Sequence, residues 1–183
     1  MRLEFFPYPL LAGLLVLAFL LAIRWRTKRG WSDSLCFLLF GLYLLLLIDL
    51  TLFPIPIVEA GAWRTPVPSI LARVNLIPFR FGDLFDFPRV YAMQQLGGNI
   101  LLTAPLGFLV PFLKPARPRQ IIGLAILAGL STELAQMIVC LMIGGNYRTV
   151  DINDTLLNAM GVLVGYAVFR GWAWVIKRRS TLS

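Results

Sequence analysis

Five apolar stretches, each close to the length that crosses a bilayer as a helix, constrain this chain more than any other feature of its sequence. A hydrocarbon core of about 30 Å is crossed by about 20 helical residues. With 58% hydrophobic and 14% charged residues, the composition excludes a water-soluble globular protein. The sequence predicts an all-α polytopic membrane bundle of about five transmembrane helices, forming one membrane domain over residues 1–183. The stretches are Phe5–Ile23, Ser34–Phe53, Tyr91–Leu113, Gln120–Ile143 and Thr155–Ile176.

Lysine and arginine predict the orientation of this bundle, because short cytoplasmic loops are enriched in both residues. If the five stretches alternate in direction, the clusters at Arg24–Arg29, Lys114–Arg119 and Lys177–Arg179 fall on one side. We therefore expect the N-terminus outside and the C-terminus in the cytoplasm. The first cluster follows the first apolar stretch, which favours a retained helix over a cleaved signal. The net charge of +8 is then mainly a topology signal, and nucleic acid is not an expected partner.

The Pro54–Val90 segment, between the second and third spans, is too long for a simple connection and too aromatic for a freely solvated one. Aromatic rings and arginine favour the membrane–water interface, so this loop is expected to lie on the outer interface or dip into it. Pro78 ends any helix there, which predicts a turn over Asn75–Phe79. The aromatic residues of the loop are Trp63, Phe79, Phe81, Phe85 and Phe87.

A set of polar side chains lies within or beside the last three apolar stretches and forms the candidate site. Such groups are costly in hydrocarbon, so they are expected to face the bundle interior. Glu133 and Gln136 share one helical face, with Glu133 about midway along the fourth stretch. We predict that the whole set converges on an outward-facing polar pocket. Its members are Asn99, Glu133, Gln136, Arg148, Asp151, Asp154 and Asn158.

Three carboxylates in this set are the candidate catalytic groups. Glu133 suits a general acid or base, and Asp151 and Asp154 could hold Mg²⁺ or another divalent cation. The sequence names no other cofactor, and the absence of histidine removes the usual zinc ligand. Structural interpretations stay open: Glu133 is then a buried carboxylate satisfied by an arginine or amide of another helix, and Asp151 caps the fifth helix.

Other members of the set are candidate ligand-binding groups. Arg148 could pair with a phosphate or carboxylate, or with Asp49 near the outer end of the second span. Asn99 and Asn158 offer directional hydrogen bonds.

Small residues continue the polar faces toward the inner side. Gly161 and Gly165 follow Asn158 on its helical face, as in the small-xxx-small seams that let membrane helices pack tightly. In the third stretch, Pro105 is expected to kink the helix without dividing it.

The ordered combination of these motifs resembles the VanZ-like family of bacterial membrane proteins over roughly residues 70 to 170. The resemblance implies that the polar positions, with Asn75 and Gln136 among those binding substrate, form a functional core in the bacterial cytoplasmic membrane. The founding member is associated with resistance to teicoplanin, a lipid-tailed glycopeptide that targets the cell wall. The matching pieces are Asn75–Phe79, Gly98–Asn99, Pro105–Phe108, Glu133–Gln136, Arg148, Asp151, Asp154 and Asn158–Gly161.

Three function classes follow from these residues and the resemblance. The favoured class binds an amphiphile, such as a lipid-linked wall precursor or a lipoglycopeptide, and so alters glycopeptide susceptibility. The second class is an intramembrane enzyme acting on a lipid-linked envelope substrate, although no residue is marked as a nucleophile. The third class is a small transporter, for which the sequence lacks an evident internal repeat. Membrane lipids are expected partners in each class, and the oligomeric state stays open.

Overall fold

The computed structural model describes residues 2–4, 6–27, 30–56, 65–81, 88–145 and 147–180. Within these ranges, five helices are long and apolar enough to cross a membrane: α1, α2, α4, α5 and α6. The predicted all-α polytopic fold is therefore confirmed. In chain order the elements are β1 (Arg2–Leu3), α1 (Tyr8–Arg26), α2 (Trp31–Leu52), β2 (Ile55–Pro56), α3 (Val67–Leu71), α4 (Arg89–Leu113), α5 (Pro118–Ile143) and α6 (Ile152–Ser180).

Large apolar side chains are exposed along the long helices. Leu15, Phe19 and Leu127 each have more than 60% of their surface exposed. Such exposure forgoes hydrophobic stabilisation in water but costs little against lipid tails, which are as apolar as leucine. Helices that are apolar on all sides and exposed are membrane spans. The chain is therefore a multi-pass membrane protein.

The helices are longer than most of the apolar stretches that predicted them. The largest extension is in α6, which begins three residues before Thr155 and continues four residues past Ile176. Backbone hydrogen bonds continue a helix beyond its apolar stretch, and hydropathy does not indicate where the helix ends in the polar sequence that follows. α4 runs unbroken through Pro105 and Pro111, so Pro105 does not divide the span.

The chain divides into two compact units. Unit 1 combines residues 1–80 with 130–153, and unit 2 combines residues 81–129 with 154–183.

In unit 1, α1 and α2 form an antiparallel hairpin. A side chain at Gly13 or Gly41 would overlap the side chain of Leu45 or Leu17 of the opposite helix, so each glycine makes room for a leucine. A salt bridge of 2.6 Å between Arg24 and Asp33 closes one end of the hairpin. At the other end, β1 pairs with β2 as a short antiparallel ladder, which the sequence did not predict.

The long loop between the second and third spans is described in part. Its residues 57–64 and 82–87, which include Trp63, Phe85 and Phe87, lie outside the described residues. The described part contains the short helix α3, which the sequence did not predict, and a turn through Pro78. The position of the loop at the outer interface stays a prediction.

In unit 2, α4 and α6 run in the same direction at close range. Side chains added at Gly161 and Gly165 would overlap the backbone carbonyls of Ile100 and Ala104, respectively. The partner numbers rise together in both helices, which makes the pair parallel. The first part of α5 runs the opposite way, since Ala116, just before α5, accepts a bond from Tyr166 of α6, whereas Gly129 lies against Thr155. The small-residue seam predicted for the fifth span is thus the contact face of α6 with α4.

The parallel direction of α4 and α6, with α5 returning between them, is the alternation that the orientation prediction requires. We expect a reporter fused within the loop at Pro115 to be active only in the cytoplasm, and a reporter fused at Gly145 to be active only when exported. Paired alkaline phosphatase and fluorescent protein fusions measure both. Swapped activities would reverse the predicted topology.

Candidate functional site

Asp151 is the centre of a hydrogen-bond network in unit 1, directly before α6. Its Oδ1 accepts hydrogen bonds from the Asn75 Nδ2 at 2.9 Å and from the Asn153 backbone N–H at 2.8 Å. The second bond is that of an N-cap, since the acceptor lies just before the first helical residue. Of the two roles that the sequence left open for Asp151, capping has this direct geometric support.

Glu133 of α5 also binds the residues that directly precede α6. Its Oε2 accepts the Asp151 backbone N–H at 2.9 Å, and the residue is 6% exposed. A carboxylate bound to a backbone N–H makes a charge-assisted hydrogen bond, which is stronger than a neutral one. The sequence left open an arginine or an amide of another helix as a partner, and this bond comes from the main-chain N–H directly before α6. Glu133 therefore fixes the start of α6 within unit 1.

Asn75 joins the network through both its backbone and its side chain. Its N–H donates to the Val150 carbonyl at 3.0 Å, and its carbonyl accepts from the Ile152 N–H at 2.9 Å. These two bonds form an isolated parallel bridge between Asn75 and Asp151. The side-chain amide also donates to the Arg80 carbonyl at 2.9 Å. Asn75 thus attaches the loop to the residues that precede α6.

Asn153 is a member of this network that sequence reasoning missed. Its Oδ1 accepts the Phe79 backbone N–H at 2.6 Å, and its Nδ2 donates to the Arg80 carbonyl at 2.9 Å. The residue is 3% exposed, and it satisfies two main-chain groups of the loop. The available signal was an asparagine in the first turn of a membrane helix, between two aspartates already singled out.

The network holds residues 76–79 in a turn whose side chains are open to the surroundings, and we call these residues the apolar turn. Leu76, Ile77 and Phe79 are 72%, 55% and 78% exposed. Phe79 has a φ of 63°, a left-handed conformation that is uncommon for a bulky residue and costs roughly 1–2 kcal/mol. Arg73 and Arg80, both exposed, flank the turn. Hydrogen bonds from Asn75 and Asn153 offset the strain.

Arg148 and Gln136 lie at the C-terminal end of α2. Arg148 Nη2 donates to the carbonyls of Leu50 and Phe53 at 3.3 and 3.1 Å, and Gln136 Nε2 donates to the Thr51 carbonyl at 3.1 Å. The last carbonyls of a helix lack intrahelical donors, and a cation there is favoured by the helix dipole. Both predicted binding residues therefore stabilise the end of α2. The sequence also suggested that Arg148 could pair with Asp49. In the structure, the Arg148 guanidinium donates to the carbonyl of Leu50, the residue after Asp49.

A cavity of about 10 Å³ lies between Arg73 and Arg148, with Met137 and Cys140 among its walls. This volume holds about one water molecule. Beside Arg148, burial raises the pKa of the Tyr147 phenol above its usual value, and the arginine charge partly opposes that shift. An amphiphile does not fit inside this cavity.

The remaining predicted site residues belong to unit 2. Asn99 Nδ2 donates to Asp154 Oδ1 at 2.7 Å, and Thr103 Oγ1 donates to the Asn158 carbonyl at 2.7 Å. Asn158 and Thr103 are buried. These bonds join α4 to α6 at successive turns. They lie on the N-terminal side of Gly161 and Gly165, where the two helices pack most closely. The candidate residues thus form two groups, each hydrogen-bonded within its own unit, and a pocket common to both groups stays a prediction.

A divalent cation was considered for Asp151 and Asp154. Among the residues that the structure describes, no three His, Cys, Asp or Glu side chains are grouped so that they could hold a metal ion. Oδ1 of Asp151 accepts two N–H donors, whose partial positive charge would oppose a cation at that oxygen. The donors around Asp151 fit a structural cap better than a metal ligand.

Comparison with known families gives a match to the sequence model described as VanZ/LLP1, over residues 40–176. The match covers more than half of the chain and includes every candidate residue above. No curated protein and no solved structure matches the chain significantly.

Proposed function

Because this chain belongs to the VanZ/LLP1 family, we propose that it binds an amphiphile of the bacterial envelope and thereby changes susceptibility to glycopeptides of the teicoplanin type. The ligand class is a lipid-linked wall precursor or a lipid-tailed glycopeptide. The protein then acts in the bacterial cytoplasmic membrane, with the apolar turn on the outer side.

The apolar turn carries this proposal. A strained residue persists only where its surroundings over-determine it, and such strain is concentrated at functional sites. Here the strained residue is Phe79, whose side chain is 78% exposed. Apolar side chains suit a lipid tail, and the flanking guanidinium groups of Arg73 and Arg80 suit a phosphate or carboxylate. The turn thus offers both halves of an amphiphile a complementary surface.

The polar network then acts by positioning the turn. Asn75 and Asn153 hold the turn directly, and Asp151 and Glu133 hold the residues to which it is attached. In this proposal the ligand contacts Phe79 and the arginines, and the buried polar groups set the geometry of that contact. Asn99, Asp154 and Asn158 act in unit 2 by joining α4 to α6.

Replacement of Phe79 by glycine separates this function from stability. Glycine adopts the left-handed conformation without strain, so the free energy of unfolding should stay the same or rise by up to about 1 kcal/mol. Binding of a fluorescent lipid-linked wall precursor by the purified protein should fall about tenfold, because the exposed ring of Phe79 is lost. Phe81→Gly, two residues along the same loop, is the matched control. Unchanged precursor binding by Phe79→Gly would refute the role of the turn.

The enzyme class stays as the second candidate because Glu133 is a buried carboxylate. Glu133→Gln retains an acceptor for the Asp151 N–H but removes the charge, so stability should change little while acid–base chemistry is lost. Mass spectrometry of envelope lipids and wall precursors is compared among cells with the wild type, Glu133→Gln and no protein. An altered lipid present only with the wild type would establish an enzyme, and three equal profiles would remove that candidate. Solute flux in proteoliposomes would favour the transporter class.

A further inference from the structure

One end of unit 2 gathers cations from a loop and a helix at the same level. The Tyr166 hydroxyl donates to the Ala116 carbonyl in the loop between α4 and α5 at 3.4 Å, and Arg170 Nη1 donates to the Tyr166 hydroxyl at 3.5 Å. The pairing of α4 with α6 also places the end of α4 close to Arg170. Asn99 of α4 contacts Asp154 of α6, which lies fifty-five positions later in the chain. That offset places Lys114 level with residues 169 and 170.

The cations at this end are exposed and lack acidic neighbours in the sequence. Lys114, Arg117, Arg119 and Arg170 are all exposed. The sequence has no Asp or Glu from residue 87 to residue 132, or after Asp154. Asp154 lies in the first turn of α6, sixteen residues from Arg170, which is about 24 Å along the helix. We call the four exposed cations Lys114, Arg117, Arg119 and Arg170 the cationic ring.

Beyond the cationic ring, α6 continues for ten residues to Ser180, which is about 15 Å of helix. This extension exposes Trp172, Trp174 and Ile176 before the second group of cations, Lys177–Arg179. The Arg178 guanidinium lies over the Trp174 ring, 5.1 Å from its centroid. Two cationic levels are thus separated by exposed apolar and aromatic side chains.

We propose that the cationic ring binds an anionic phospholipid, with Trp174 beside its headgroup. The phosphate pairs with Arg170 and the loop cations, and the acyl chains run from there toward the middle of the span along Ala167 and Leu163, which are exposed on the helical face of Arg170. Anionic headgroups complement the charge, and indole rings favour the membrane interface, where Trp174 follows Arg170 by one helical turn. A soluble acidic peptide would match the cations but not the exposed apolar side chains next to them, so a lipid is the better match. This site is independent of the apolar turn and of the proposed function.

The purified full-length protein in detergent tests this proposal with phosphatidylglycerol and phosphatidylcholine as probes, and native mass spectrometry counts the lipids retained. We expect phosphatidylglycerol to be retained at least about fivefold more strongly than phosphatidylcholine, the factor associated with about one surface cation. Arg170→Gln should lower phosphatidylglycerol retention about fivefold and leave phosphatidylcholine retention unchanged. Arg170→Lys, which keeps the charge, should bind nearly as the wild type does.

Arg26→Gln is the matched control, because Arg26 is an exposed cation at the end of α1 in unit 1. An equal loss of phosphatidylglycerol in Arg26→Gln and Arg170→Gln would indicate general charge attraction and overturn the site. If Arg170→Gln elutes as an aggregate, the double variant Lys114→Gln/Arg117→Gln gives the same test without touching the Tyr166 bond. Retention of both lipids to the same degree by the wild type would also overturn the proposal, whatever the outcome for the apolar turn.

Discussion

Gly165→Ala is expected to destabilise the protein by roughly 3 kcal/mol, at the upper end of what an overpacked site costs. A Cβ at this position would overlap the Ala104 backbone carbonyl of α4. A carbonyl within a helix cannot move aside as the end of a flexible side chain can, so α4 and α6 have to separate. Separation also lengthens the nearby bond from Thr103 to the Asn158 carbonyl. Thermal unfolding in detergent, followed by circular dichroism, measures the loss.

Gly171→Ala is the matched control, since Gly171 lies in the same helix and a Cβ there has no atom within 4 Å. Alanine is favoured over glycine in a helix by up to about 1 kcal/mol, so this variant should be as stable as the wild type or more stable. The difference between the two alanine variants isolates the effect of close helix packing from helix propensity. Equal melting temperatures for both would contradict the parallel contact between α4 and α6.

Asn153→Ala is expected to open the apolar turn and to lower the free energy of unfolding by roughly 1–3 kcal/mol. The substitution leaves the Phe79 N–H without its side-chain partner, which costs about 1–3 kcal/mol where water cannot replace the bond, whereas the Arg80 carbonyl keeps its bond from Asn75. The turn then has less to offset the strain at Phe79. Hydrogen–deuterium exchange should become faster in residues 76–80 and stay unchanged in α1. Slow exchange in the variant would show that Asn153 does not hold the turn.

The double variant Asn153→Ala/Phe79→Gly tests the cause of that loss. If Asn153 stabilises the strained conformation of Phe79, glycine at position 79 should recover more stability in the Asn153→Ala variant than the gain of up to about 1 kcal/mol expected for it in the wild type. Substitutions at residues in contact are then non-additive. A purely additive result would mean that the two residues act separately, and the strain argument for function at the turn would lose its support.

For Glu133, the sequence predicted that the side chain is buried but did not predict its hydrogen-bond partner. Its position midway along an apolar stretch was enough to predict burial, because an ionised group has no stable place against lipid. The partner was beyond reach, since the Asp151 N–H lies eighteen residues away and on a segment that precedes its helix. Asn153 was missed for a related reason: an amide side chain has no preferred partner until the chain has folded around it.

The sequence by itself determined the number of spans and their approximate limits, because apolar length is a local property and lipid imposes it on each stretch separately. It also determined which glycines would form a seam, since helical spacing alone puts them on one face. Tertiary structure alone decided that Asn75, Asp151 and Asn153 meet, and that Phe79 is held in a left-handed conformation. These contacts join residues more than seventy positions apart, and hydrogen-bond direction at such separations depends on the folded backbone.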